Sequence, residues 1–194
     1  MILIINTSKE LLHYFEFVKP IEDILKKDNV QYRTIPVNEI SKYEIDCADR
    51  IIICGTSLKD FEYLKYIDRF SFITDKQFYK PILGICAGMQ IICTLFGFKL
   101  EKGNHIGPSN VKFDNFLGYS GDKEVYELHN MIVEEDENFR RTFEIKAKNK
   151  YIQAIKHRKK PIYATLFHPE VRNQEIIQRF ISKEKYSHNR TRAS

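Results

Sequence analysis

Pro81-Ile82-Leu83-Gly84-Ile85-Cys86-Ala87-Gly88-Met89-Gln90 reads as a strand that turns abruptly into a helix. Ile82, Leu83 and Ile85 form a short apolar run, and Met89 to Phe98 continue as an apolar helix. Between them stands one cysteine with a glycine two residues away on each side. This is the spacing of a nucleophile elbow, better known with serine, in which a tight turn lifts the nucleophile out of the sheet on strained backbone. A side chain at Gly84 or Gly88 would strike neighbouring backbone. The helix that begins after Cys86 points its amide dipoles at the sulfur, which favours thiolate. A lone Gly-x-Cys-x-Gly also occurs by chance around an inert core cysteine, so its meaning depends on its context.

The surrounding chain narrows that context. Its 194 residues suit one domain with a sizeable core, and a hydrophobic fraction of 43% argues against disorder. No apolar run reaches membrane-spanning length. Met1-Ile2-Leu3-Ile4-Ile5-Asn6 lacks the basic start of a signal peptide and reads as a first strand. Cys47, Cys54, Cys86 and Cys93 form no Cys-x-x-Cys pair, which gives no sign of a metal or redox motif. Without an export signal we expect a reducing, cytoplasmic setting and free thiols. The formal net charge is +5, of which residues 183–194 contribute +3. The body therefore lacks the clustered basic face of a nucleic-acid binder. We expect a single domain over residues 1–183 and a flexible basic tail over 184–194.

Ser8 is placed to cap a helix over 9–27, with Leu11, Leu12, Phe15, Phe17, Val18, Ile21, Ile24 and Leu25 forming its apolar face. Strands are expected at 30–37 and at 50–54, the latter apolar without alternation, as in a strand covered on both faces. A helix is expected over 60–74. With the Cys86 strand and its helix, the first half alternates strands and helices, which means a mostly parallel sheet with helices on its faces. Ligands of such sheets bind beyond the carboxyl ends of the strands. The second half carries five short strand candidates, at 109–116, 123–128, 141–147, 151–156 and 161–167. Turns are expected at Asp122-Lys123, Asn149-Lys150 and Lys159-Lys160, and a last helix over 173–183.

A thiol nucleophile needs a base. Among six histidines, His168 ends an apolar strand, as Cys86 does, so both can meet at one sheet edge. Pro169 stiffens the turn, and Glu170 can return its carboxylate to the imidazole and favour imidazolium beside thiolate. Taken singly, His168 fits a polar strand end and Glu170 a solvated helix-start acid. An anionic intermediate would need backbone donors, for which the Ala87 amide and an amide within Gly55-Thr56-Ser57 are candidates.

Gly84-Ile85-Cys86-Ala87-Gly88-Met89-Gln90 and Phe167-His168-Pro169-Glu170-Val171 resemble the cysteine and histidine-glutamate motifs of class I glutamine amidotransferases. Ala154-Ile155-Lys156-His157-Arg158-Lys159-Lys160-Pro161-Ile162-Tyr163 adds a resemblance to the separate glutaminase subunits of archaeal GMP synthases. The resemblance extends from Met1 to about Ile181. It implies a flavodoxin-like α/β fold and a Cys86, His168, Glu170 triad that hydrolyses glutamine through a cysteinyl thioester. It further implies an oxyanion hole from the backbone of Ala87, Gly55 and Thr56. It assigns Gln90, His129, Asn130 and Met131 to substrate binding. It implies no cofactor and no metal, no nucleic acid and no membrane, and a synthetase partner, an ATP pyrophosphatase subunit that aminates XMP. The chain departs from the family at Cys54-Gly55-Thr56-Ser57, where a Ser-Gly-Gly-Pro run is usual, and Thr56 takes positive φ less cheaply than glycine. It also departs at Leu128-His129-Asn130-Met131, where Ser-His-x-Asp is usual, and at Leu166, where glutamine is common. Two other readings keep the fold: a gamma-glutamyl hydrolase or peptidase, and a non-catalytic regulatory subunit.

Overall fold

The computed structural model describes residues 1–182; the expected basic tail and the last residue of the expected domain lie outside them. A nine-stranded sheet runs through the molecule: β1 (Ile2–Asn6), β2 (Tyr32–Pro36), β3 (Arg50–Ile53), β4 (Ile82–Ile85), β5 (Leu100–Phe116), β6 (Tyr119–Val133), β7 (Phe143–Lys148), β8 (Ile152–His157) and β9 (Ile162–Thr165). Their spatial order is β2-β1-β3-β4-β9-β8-β7-β5-β6. The first five in that order are parallel and the remaining four pair antiparallel.

Alternation of side chains sorts the parallel strands into two cores. Leu3, Ile5, Ile51, Ile53 and Ile82 face one layer, which includes α3 (Lys42–Cys47), α4 (Ala87–Leu95) and α5 (Glu137–Thr142). Ile2, Ile4, Ile52, Leu83 and Ile85 face the other, with α2 (Lys19–Lys27) and α6 (Gln174–Ile181). Both faces are covered, which is why these strands are apolar throughout.

The first helical run is not uniform. Following α1 (Leu11–His13), Tyr14–Val18 form a π-helical turn, and α2 resumes with Pro20 in its first turn. The Lys19 amide still reaches back to the Tyr14 carbonyl, and Pro20 has no N–H to add to that ladder, so the regular hydrogen-bond pattern is interrupted where the π-helical turn meets α2. The helix expected over 60–74 is a 3₁₀ run, Glu62–Ile73, kinked at Tyr66.

The second half departs most from expectation. The candidates at 109–116 and 123–128 belong to one long hairpin, β5–β6. Its turn is Leu117-Gly118, both with positive φ, as a two-residue hairpin turn with the sheet's twist requires. Asp122 and Lys123, expected in a turn, pair with Lys112 and Val111 inside the ladder. α5 replaces the start of the expected 141–147 strand, with Asp136 accepting from the Phe139 amide as its cap. The four cysteines are free thiols. Among the described residues no helix is long and apolar enough to cross a membrane.

Candidate active site

The adjacent parallel strands β4 and β9 deliver Cys86 and His168 to the same sheet edge, and the Cys86 amide donates to the Thr165 carbonyl at 2.7 Å. Cys86 has φ 48° and ψ −98°, a conformation that costs a non-glycine residue about 1–3 kcal/mol. The flanking glycines are sterically required. A Cβ on Gly84 would stand 2.7 Å from the Gly88 backbone, and one on Gly88 would stand 2.5 Å from the Ile53 carbonyl oxygen.

His168 is wholly buried. Its Nδ1 lies 2.7 Å from Glu170 Oε1, and its Nε2 lies 3.4 Å from the Leu128 carbonyl. Both nitrogens thus face acceptors, which suits an imidazolium. Burial pulls the His168 pKa down, but the Glu170 carboxylate and Cys86 outweigh it and hold the value well above 6.5. Phe17, on the π-helical turn, packs against the ring at 5.2 Å between centroids. The His168 amide donates to the Tyr126 carbonyl at 2.9 Å. Cys86 Sγ lies 3.5 Å from the same Leu128 carbonyl that His168 approaches. Strand β6 therefore lays two carbonyls, 126 and 128, against the histidine and the thiol.

A narrow cleft opens at Cys86, walled by Thr56, Asp60, Tyr63, Ala87, Gln90 and Asn130 among others. Ala87 begins α4, so its N–H has no acceptor within the helix and is available to a ligand. On the facing side, the Thr7 hydroxyl lies 3.1 Å from the carbonyls of Cys54 and Gly55. Asp60 secures the rest of that loop, accepting from the Thr56 hydroxyl and from the amides of Lys9 and Glu62. Thr56 is buried and is not among the residues with positive φ, so its Cβ costs nothing here. Gly55 is needed for space: a Cβ there would stand 2.6 Å from His168 Cε1.

The residues expected to bind substrate divide. Gln90 and Asn130 line the cleft, and the Asn130 amide also bridges to the Leu58 carbonyl at 2.6 Å. His129 reaches the cleft wall, but its ring is held elsewhere: Nδ1 by the Gly103 carbonyl at 3.0 Å and Nε2 by Glu127 Oε2 at 2.7 Å. Met131 is not part of the cleft wall; its carbonyl accepts from Gln90 Nε2 at 3.4 Å. The reason is strand alternation, which sends the 127 and 129 side chains into the hairpin.

There Glu127 gathers His129, Ser109, Asn149 and Gln153 around one buried carboxylate. Burial pushes its pKa up, but those four hydrogen bonds prevail and bring it down to about 2. Sequence reading missed Glu127, Tyr63, Asp60 and Phe17. None lies in a motif, and only folding brings them near Cys86.

The class-I glutamine amidotransferase model matches residues 11–186. The chain is similar to the glutamine-hydrolysing GMP synthase subunit of Thermoplasma acidophilum, 31% identical over 169 residues, covering 81% of this chain and 82% of that one. The corresponding GMP synthase subunit of Thermoplasma volcanium is 29% identical over 184 residues, covering 86% and 88%. A crystal structure of a GMP synthase subunit from Thermoplasma acidophilum superposes with a TM-score of 0.78 at 26% identity, covering 92% of this chain and 90% of that one.

Proposed function

The chain belongs to the class I glutamine amidotransferase family, and on that footing we propose that it hydrolyses glutamine at Cys86 and supplies the ammonia to an ATP pyrophosphatase partner that aminates XMP. The observation that carries this reading is the meeting of Cys86, on its strained elbow, with the His168–Glu170 pair at the ends of neighbouring parallel strands.

Cys86 attacks the side-chain amide carbon of glutamine as a thiolate, beside a His168 that already carries its proton as imidazolium. The tetrahedral oxyanion is received by the Ala87 amide and by backbone amides of Gly55 and Thr56. The C–N bond breaks as His168 gives its proton to the leaving nitrogen, which departs as ammonia. Water then attacks the glutamyl thioester, loses a proton to the now neutral His168, and the C–S bond breaks to give glutamate and the Cys86 thiolate beside the reprotonated His168. Glu170 keeps the imidazole aligned throughout.

The partner assignment draws on the names of the GMP synthase relatives, and the residues at 128–131 that depart from the family lie beside the cleft. The test is glutamate release from glutamine by the purified protein, alone and with an ATP pyrophosphatase partner, ATP and XMP. A steep rise with the partner, with GMP formed, is the expected result. Steady hydrolysis that ignores the partner would reassign the ammonia acceptor. Absence of turnover in both conditions, with Cys86 inert to a diazoketone analogue of glutamine, would overturn the catalytic reading.

A further inference from the structure

We infer that Tyr63 is a positioning residue that sets the orientation of the Gln90 amide at the cleft wall. The inference rests on the reading of that cleft as a glutamine site. Tyr63 comes from the 3₁₀ run, more than twenty residues before the nucleophile, and is buried beside Cys86. A buried tyrosine hydroxyl needs a partner, and here it is Gln90 Oε1 at 2.5 Å.

The direction of that bond follows from the opposite end of the amide. Gln90 Nε2 faces the Met131 carbonyl, which can only accept, so the nitrogen end must point there. The oxygen end then faces Tyr63, whose hydroxyl must donate. Burial, with the negative fields of Cys86 and Asp60, pushes the Tyr63 hydroxyl pKa upward, so the donor proton stays in place.

Held at both ends, the amide has one N–H and one oxygen lone pair left to offer. Gln90 lies one helical turn beyond Cys86, its own amide donating to the Cys86 carbonyl at 3.1 Å. What remains on its side chain is therefore presented at a fixed angle next to the nucleophile. An amino-acid substrate carries an ammonium and a carboxylate, and a clamped amide can pair with either. Without the Tyr63 hydroxyl, Gln90 Oε1 loses its donor and the amide can swing about the Met131 contact.

The variant is Tyr63→Phe, which keeps the ring. The KM for glutamine is expected to rise about tenfold, the scale of one buried hydrogen bond, with kcat within twofold. Labelling of Cys86 by the diazoketone analogue of glutamine should slow by a similar factor. Labelling by iodoacetamide, which makes no use of the amide, should keep its rate. In a Gln90→Met background, adding Tyr63→Phe should change KM no further, because Tyr63 acts through Gln90. That double variant also removes the stranded acceptor, so it serves if Tyr63→Phe alone folds poorly.

An unchanged KM in Tyr63→Phe would overturn the inference. So would equal slowing of both labelling reactions, or a further rise in KM in the Gln90→Met background. A wild-type protein that neither hydrolyses glutamine nor reacts with the diazoketone would instead overturn the glutamine reading.

Discussion

Replacing Gly55 by alanine tests whether the position of the His168 ring controls the rate. The added Cβ would stand 2.6 Å from His168 Cε1 and 3.2 Å from Nδ1, whereas ordinary contact begins at 3.4 Å. The ring must withdraw by about 0.8 Å, the difference between those distances. It has nowhere easy to go. Glu170 holds Nδ1, Phe17 packs on the ring, and the backbone amide is fixed to Tyr126. A displacement approaching 1 Å at a catalytic group costs about a hundredfold in kcat. Overpacking should cost about 1–3 kcal/mol of stability. The assay is steady-state glutamine hydrolysis alongside thermal unfolding. Gly107→Ala is the comparison: Gly107 has φ +120° with open space around it, so strain should lower Tm while kcat stays put. A Gly55→Ala enzyme within threefold of the wild-type kcat would refute the reasoning, because the ring would then have a freedom its contacts deny.

Three further predictions follow from the same geometry. Cys86→Gly and Cys86→Ala should both abolish hydrolysis, but Cys86→Gly should have the higher Tm, because glycine relieves φ 48° at a cost alanine still bears; an equal or reversed order in calorimetry would contradict the strain. The raised pKa of His168 gives stability that is fully present below pH 6.5 and is lost as pH rises through the folded value. Glu170→Gln should therefore lower Tm most near pH 6 and progressively less at alkaline pH, and a Tm deficit independent of pH would speak against the pair. Glu127 has the opposite sign: its lowered pKa gives stability that is present above about 4.5 and lost as pH falls toward about 2, so Glu127→Ala should flatten the acid limb of the unfolding curve.

The parallel half of the fold was legible because its strands are short, apolar and punctuated, and each element agrees with its neighbours. Ile82 to Gln90 could be read as strand, turn and helix from its apolar runs and glycine spacing, and the structure supplies the contacts that make those glycines necessary. The hairpin was not legible for a local reason. Its turn uses Leu117, a residue that disfavours positive φ, while Gly121-Asp122-Lys123 looks like a turn and is ladder. Arg179 lies against Leu117 and Gly118, so tertiary contact accompanies a conformation that turn chemistry does not announce. In the site, His168 and Glu170 were visible as neighbours in sequence, and the structure sets them 2.7 Å apart. Tyr63 and Glu127 had no such signature. A lone tyrosine and a lone glutamate in alternating sequence read as ordinary wall and surface.

The Glu127 cluster bears on how the hairpin finds its alignment. β5 and β6 are 17 and 15 residues long, and over Ser120 to Glu124 every side chain of β6 is solvent-exposed. Hydrophobicity there offers little to distinguish one pairing from the next. A slip by a single residue would carry Glu127 and His129 to the opposite face and strand Ser109, Asn149 and Gln153 around an empty centre. The buried acid thus works as a ruler that reinforces the alignment the buried Val111, Phe113 and Val125 also require. Because carbonyls 126 and 128 sit beside that mark, the same ruler measures out where the edge of the sheet meets the histidine and the thiol.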